Sequence, residues 1–456
     1  MKERDTFLVN IPGCRPFLPP PQRQGTASVA VVCRRGRPTM VGASVVLRLA
    51  LLSASLSSLH VCCARGDLTF AGALEAPSLK GAGAIDAHGS AAFVAGEGVT
   101  AVEVSDPATP RVVTTLEDPL LVGCKSVYAY TTVAEQGRAG ERRLAVACSG
   151  SHALVLVGVG EGEGNLRVLG SVAEPVALKG AAGVVVKGTL AFVAASGVAR
   201  VVSVDVRDEG KPRVLSSVRL SAASTVALHG ENHLIVGSGP GRRVTVLSYV
   251  PSGVLMKTGS IKDGRLEGQS SIVHVFYPNP NITFAVTAAN GGTFAVINTT
   301  TRVRPAIAVA LQAEGRAAAS VPLTQAAEEA EGGGVTATGS WSPNGHKALE
   351  GASGLALASN GIAYVTGSDN GAVAGIDATD PTRPQIVRQV TDPRLVGATD
   401  LCANGGDAGN APEPGVAKPL DGTGTAVVYV VVPDAQRLVV LRDSGGNGGK
   451  RRRSEL

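Results

Sequence analysis

The stretch Lys80–Pro119, KGAGAIDAHGSAAFVAGEGVTAVEVSDPATPRVVTTLEDP, constrains this chain more than any other because it recurs. It contains three short apolar runs separated by Gly-bearing turns, a sharp corner at Asp106-Pro107-Ala108-Thr109-Pro110, and a fourth run. Val-rich runs of this length, cut by Gly and Pro, are strand signals. The cleanest second copy starts at Leu178. There LKGAAGVVVKGTLAFVAASGVARVVSVDV sets Lys179-Gly180 against Lys80-Gly81, and Ala191-Phe192-Val193-Ala194 against Ala92-Phe93-Val94-Ala95.

Five further units follow the same plan. Unit two has runs at Ser126–Thr131, Arg143–Ser149, Ala153–Val159 and Arg167–Val172, with a polar insertion at Glu135–Glu141. Unit four has Ser224–Gly230, His233–Gly237 and Arg243–Tyr249, and unit five has Ser271–Phe276, Thr283–Ala288 and Thr293–Asn298. Unit six has Gly351–Leu357, Ile362–Val365, Ala372–Asp377 and, after Asp380-Pro381-Thr382-Arg383-Pro384, Gln385–Val390. Unit seven has Gly397–Cys402, Ala426–Val432 and Arg437–Leu441.

A four-strand unit of roughly 40–45 residues is the mark of a β-propeller blade. Such a sheet has two apolar faces and covers both only by packing between neighbours. The expected fold is therefore all-β: a seven-bladed β-propeller of four-stranded blades over residues 67–443. Unit seven lacks a fourth run, and an orphan run, Thr69–Leu74, stands before unit one. This N-terminal strand is expected to complete the last blade and close the ring. Two insertions, Gln312–Glu350 and Ala403–Thr425, are rich in small and polar residues and read as disordered.

The third runs VTAVEVSDP, ALVLVGV, VARVVSVDV, AVAGIDATDP and RLVVLRD resemble the LVIVD repeat, as does the pattern G-x-A-F/Y-V-A followed by an Asp-Pro-x-x-Pro corner. The resemblance covers about Asp67–Asp443 and is carried best by units one, three and six; units two, four and five lack the Asp-Pro corner. It implies a seven-bladed propeller of secreted or cell-surface type, and it brings no catalytic motif. WD40 repeats are disfavoured, since no Trp-Asp ends the third runs and Trp341 is the only tryptophan.

The ends differ from the body. Met1–Thr39 is Pro- and Arg-rich and reads as a disordered extension. Met40–Gly66 reads as a signal peptide, with Arg48 as its basic region, Leu49–Leu59 as its apolar run and Cys62-Cys63-Ala64 as its small-residue end; uncleaved, it would be a signal anchor, and an organellar transit sequence is a further reading. Met40 is a candidate start. The tail 444–456 is basic through Lys450–Arg453, and its final Glu-Leu is similar to an ER-retention ending. The body between carries 29 Lys/Arg against 34 Asp/Glu, so the overall charge of +5 belongs to the ends. A mildly acidic body argues against a nucleic-acid partner.

Candidate chemistry is sparse. Asp106, Asp205, Asp377 and Asp380 recur at the corners, where Asp before Pro is turn chemistry rather than a metal site. No cofactor motif is present: there is no P-loop, no Gly-x-Ser-x-Gly and no Cys–His metal spacing. Cys124 and Cys148 lie in the first two strands of one unit, and a bridge requires their side chains to oppose; with Cys402 left over, buried unpaired thiols are the expected state. Asn281 and Asn298 head glycosylation sequons.

In a propeller, inter-blade connections and second-to-third-strand hairpins share one face. That places Lys80, Lys179 and Asp400, with the hairpin residues Asp369 and Asn370, at the channel mouth as candidate ligand contacts. The favoured reading is a monomeric, non-enzymatic binding or adhesion scaffold for a protein or glycan, meeting a membrane only if residues 40–66 remain as an anchor. The alternative is a propeller hydrolase or other enzyme with a metal at the central channel.

Overall fold

The computed structural model describes residues 67–132, 140–160, 164–276, 283–289, 292–312, 346–358, 361–377, 384–405 and 426–444. All lie in the compact unit Cys63–Leu456. The leader, the N-terminal extension, the basic tail and the sequon at Asn281 fall outside the described residues, as does most of both insertions.

Seven four-stranded antiparallel sheets stand in sequence order. An opening strand, β1 (Leu68–Glu75), precedes blade 1, which holds β2 (Ala84–His88), β3 (Ala91–Ala95), β4 (Val99–Glu103) and β5 (Arg111–Leu116). Blade 2 holds β6 (Cys124–Thr131), β7 (Arg142–Cys148), β8 (Ala153–Val159) and β9 (Leu166–Ala173). Blade 3 holds β10 (Ala181–Lys187), β11 (Leu190–Ala195), β12 (Arg200–Asp205) and β13 (Arg213–Arg219). Blade 4 holds β14 (Thr225–His229), β15 (His233–Ser238), β16 (Arg243–Tyr249) and β17 (Leu255–Lys262). Blade 5 holds β18 (Gln269–Phe276), β19 (Thr283–Ala289), β20 (Thr293–Asn298) and β21 (Ala306–Gln312). Blade 6 holds β22 (Ala352–Leu357), β23 (Ile362–Gly367), β24 (Ala372–Asp377) and β25 (Gln385–Thr391). Blade 7 holds β26 (Asp400–Gly405), β27 (Ala426–Val432) and β28 (Arg437–Asp443).

The ordinary blades pair their strands as successive hairpins. In the last sheet the order is β1-β28-β27-β26, with β1 antiparallel to β28 from Leu68↔Asp443 to Glu75↔Arg437. The innermost strands touch in series, and β26 touches β2. The fold is an all-β, seven-bladed β-propeller.

The core explains the ring. Seven apolar clusters each join two neighbouring blades, and one of them sets Val94 and Val102 of blade 1 against Tyr429 and Val440 of blade 7. The middle strands β3 (AAFVA) and β8 (ALVLVGV) are buried along their whole length, because both sheet faces are covered. Alanine lets the sheets approach, while Phe93 and Phe192 fill the gaps at equivalent positions. Each such burial stabilises by roughly 1.5–3 kcal/mol.

Each inter-blade connection carries one buried leucine: Leu79, Leu121, Leu178, Leu220, Leu266, Leu349 and Leu395. Two residues later the backbone turns left-handed. Six blades place glycine there, for example Gly81 at φ 67°, and blade 4 places Ala222 at φ 52°. Glycine also permits blade contact elsewhere. A Cβ on Gly170 in β9 would sit 2.3 Å from the carbonyl oxygen of Glu209, in the corner of the next blade.

Several sequence expectations are revised. Outer strands β17 and β21 exist in units four and five, where no fourth run is evident from sequence. Strand β26 continues through Gly405, into the start of the expected second insertion, and His346–Glu350 at the end of the first insertion form the connection into blade 6. Cys124 and Cys148 are not free thiols: they face each other across β6 and β7 and form a disulfide, while Cys402 is free and buried. The corner aspartates act within their turns. Asp106 accepts the Ala108 N–H at 3.0 Å and the Thr109 hydroxyl at 2.8 Å, and the Asp205 carboxylate binds Arg207 and Arg213. Asp377 closes β24, and Asp380 lies outside the described residues.

Candidate functional site

The innermost strands are joined by side chains that reach across to the next blade's backbone. Asp400 Oδ2 on β26 accepts the Ile85 N–H of β2 at 3.1 Å. Asp86 Oδ2 on β2 accepts the Ala129 N–H of β6 at 2.8 Å, and its Oδ1 accepts the Ala87 N–H at 2.9 Å. Ser126 Oγ on β6 accepts the Val184 N–H of β10 at 3.2 Å. Burial raises the Asp400 carboxyl to about 7, with the Asp86 charge adding to the rise, and burial raises Asp86 to about 6; the backbone hydrogen bonds pull both the other way. Burial and these two carboxylates together hold the Cys402 thiol well above its ordinary range. These groups are engaged in holding blades 7, 1 and 2 together. Among the described residues, no three His, Cys, Asp or Glu side chains stand within reach of one metal ion.

The residues singled out from sequence are dispersed. Lys80 and Lys179 are exposed at equivalent connections of blades 1 and 3. Asp369 is exposed and accepts the Ser368 hydroxyl at 3.2 Å, while the Asn370 amide donates to the Lys347 carbonyl. Connections and hairpins do share a face, since Gly197 N–H bonds the Lys179 carbonyl and Asp369 N–H bonds the Glu350 carbonyl. Asp400 lies lower, on the inner strand itself, with its carboxylate turned to Ile85. Asn298 ends β20 and accepts the Thr300 N–H at 2.9 Å, an Asx turn.

A different place gathers charge. A cleft of about 290 Å³ opens between the last strand of blade 3 and one face of blade 4. Arg219, at the end of β13, lines one side; Arg243 of β16 and Lys257 and Lys262 of β17 line the other. Its lining includes the buried residues Ser238 and Thr245. Arg243 and Lys262 are directly opposite in the ladder, a pairing that like charges disfavour. The equivalent pairs in blades 1 and 2 are Val99↔Leu116 and Ala153↔Ala173.

Nearby carboxylates are committed elsewhere. Asp263 is held bidentately by Arg265, and Glu267 pairs with Arg242 at 2.8 Å. Among the described residues, none of the four cleft cations has an ion-pair partner. Sequence reading missed this cluster because its members come from three strands, one of them the unassigned β17. The usable signal was a cation pair where blades 1 and 2 carry apolar pairs.

The chain shares its architecture with proteins of very different kinds. It is similar to Raptor of Chaetomium thermophilum (8% identity, 84% of this chain and 29% of that one, TM-score 0.54). It is also similar to hydrazine synthase of Kuenenia stuttgartiensis (14% identity, 81% and 97% covered, TM-score 0.52). A third is virginiamycin B lyase of Staphylococcus aureus (10% identity, 81% and 97% covered, TM-score 0.50). Likeness at these identities shows the fold alone. No protein-family model matches the chain, and no curated protein does.

Proposed function

We propose that this chain is a non-enzymatic, LVIVD-like propeller scaffold that binds an anionic protein or glycan at the cleft between blades 3 and 4. The observation that carries this reading is the convergence of Arg219, Arg243, Lys257 and Lys262 on one cleft without acidic partners among the described residues. Evenly packed blades hold these side chains on strands rather than loops, which favours a preformed site. The half-buried carboxylates of Asp86 and Asp400 are occupied in bonds between blades.

A secreted or cell-surface address belongs to the same proposal. It is supported by the Cys124–Cys148 disulfide, since such bonds persist in oxidising compartments, and by the leader-like run at 40–66. Among the described residues, no helix is long and apolar enough to cross a membrane.

Hydrogen exchange with and without ligand hits from a glycan and peptide array tests the binding site. Protection concentrated in β13, β16 and β17 is expected; protection confined to blades 1 and 6, or turnover of the bound molecule, overturns the reading. N-terminal sequencing of the mature product tests the address, and recovery of Met1 on a soluble intracellular product would sink it.

A further inference from the structure

Resting on the cleft as the binding site, we propose that its ligand is a carbohydrate bearing several oxyanion esters, sulfate or phosphate. Three features select this chemistry. The first is charge number: four cations line one small cleft, so a single carboxylate leaves most of them unanswered. The second is donor geometry. Arginine forks match the oxygens of tetrahedral oxyanions in pairs, and lysines act as adaptable point charges. The Thr245 hydroxyl adds a neutral donor, since it makes no hydrogen bond among the described residues; Ser238 gives its own proton to the Ser221 carbonyl.

The third feature is shape. The cation row does not stop at the cleft. Arg219 is directly opposite Arg200 in blade 3, just as Arg243 is opposite Lys262 in blade 4. Charge therefore continues along the edges of two blades, which suits a chain with repeating esters better than one free ion. A cleft of about 290 Å³ accommodates little more than one substituted sugar ring at its centre. Flanking cations would then meet esters on neighbouring rings. Setting Arg243 opposite Lys262 costs stability in the free protein, and a polyanion relieves that repulsion on binding.

The test uses the full chain and titration calorimetry with three probes: a heparin-derived hexasaccharide, the same hexasaccharide after desulfation, and inositol hexakisphosphate. Arg243→Gln with Lys262→Gln removes the opposed pair, and Lys80→Gln with Lys179→Gln removes two cations on other connections. Tight binding of at least one charged probe is expected, weakened about tenfold or more by the first double variant and left unchanged by the second. Raising salt from 50 to 200 mM, round figures for a low- and a high-screening buffer, should weaken it further, about as expected for several exposed charges. Preference for the hexasaccharide or for the inositol phosphate assigns the ester as sulfate or phosphate. If the desulfated sugar binds equally well and the cleft variant still loses it, the site stands and the oxyanion inference fails. If a charged probe binds but only the Lys80/Lys179 variant loses it, the cleft itself is wrong. No binding of either charged probe also overturns the inference. Melting temperatures of both variants within a few degrees of the parent establish that the losses are not unfolding.

Discussion

Asp400, on the inner strand of the last blade, accepts a hydrogen bond from the backbone N–H of Ile85 in the first, 3.1 Å away. This bond spans the junction between the two ends of the repeat array. The same role passes round the ring to Asp86 and Ser126, each reaching the following blade. Apolar packing between blades is non-directional. A few half-buried acceptors aimed at named N–H groups help fix the register of one blade against the next.

These carboxylates predict an unusual pH profile. Folding raises Asp400 to about 7 and Asp86 to about 6 from an ordinary 3.8, so the folded state holds protons that the unfolded chain releases. Their contribution is full below about pH 3.8 and is lost as pH rises through 6 to 7. Asp400→Asn keeps an acceptor for Ile85 and cannot ionise. It should stabilise the protein at pH 8 by roughly 1–2 kcal/mol, less than the ~4 kcal/mol of full linkage because the side chain is partly exposed. Asp400→Ala strands the Ile85 N–H and should cost about 1–3 kcal/mol at pH 5. Urea midpoints measured from pH 4 to 8 decide it, and parallel curves for parent and Asp400→Asn would refute the assignment.

The Cys124–Cys148 bridge links adjacent strands of blade 2 just before a bulge in β6. Both sulfurs belong to fully buried residues, so the bond should resist mild reductant until the blade opens. Replacing both by alanine should lower stability by about 2–4 kcal/mol. Peptide mapping after alkylation in denaturant, without reductant, should find these two linked and Cys402 alkylated. Alkylation of all three would show that the bridge does not form.

Much of this architecture was legible because each blade repeats its own strand pattern. Units one and six announce themselves through Asp-Pro corners, and unit three through its close match to unit one. Units two, four and five were harder, since their corners use other turns, and β17 (LMKTGSIK) lacks the Val-rich signature of the other strands. A more uniform marker was present throughout: Leu-x-Gly at the entrance of every blade but the fourth, from Leu79-Lys80-Gly81 to Leu395-Val396-Gly397. The leucine is buried and the glycine supplies a positive φ, so packing and backbone geometry both preserve it. The cationic cleft was not legible. It depends on which strand of blade 3 faces which strands of blade 4, and no local pattern encodes that.

Strand β1 carries the pairing of the last sheet. It matches β28 along its length, ties Glu75 to Arg437 and places Phe70 under the Arg394 guanidinium at 3.5 Å. Removing residues 67–75 leaves β28 an unpaired edge and uncovers its apolar neighbours. The truncated chain should lose its cooperative melting transition or aggregate, and the free peptide of those residues should restore it in part. A truncated chain that melts within a few degrees of the parent would show that β1 is dispensable.

Ala222 offers the reverse prediction, a gain. It holds φ 52° where the other six blades use glycine, between the buried Leu220 and Ala223. A left-handed conformation costs an L-residue roughly 1–2 kcal/mol, and glycine escapes that cost while losing some unfolded-state entropy. Ala222→Gly should therefore stabilise the protein by up to about 1 kcal/mol, seen as a higher urea midpoint with an unchanged slope. The site flanks the Ser221 carbonyl that anchors Ser238, so the substitution should leave the cleft intact. A lower midpoint would mean that the connection into blade 4 does not adopt the turn its sisters share.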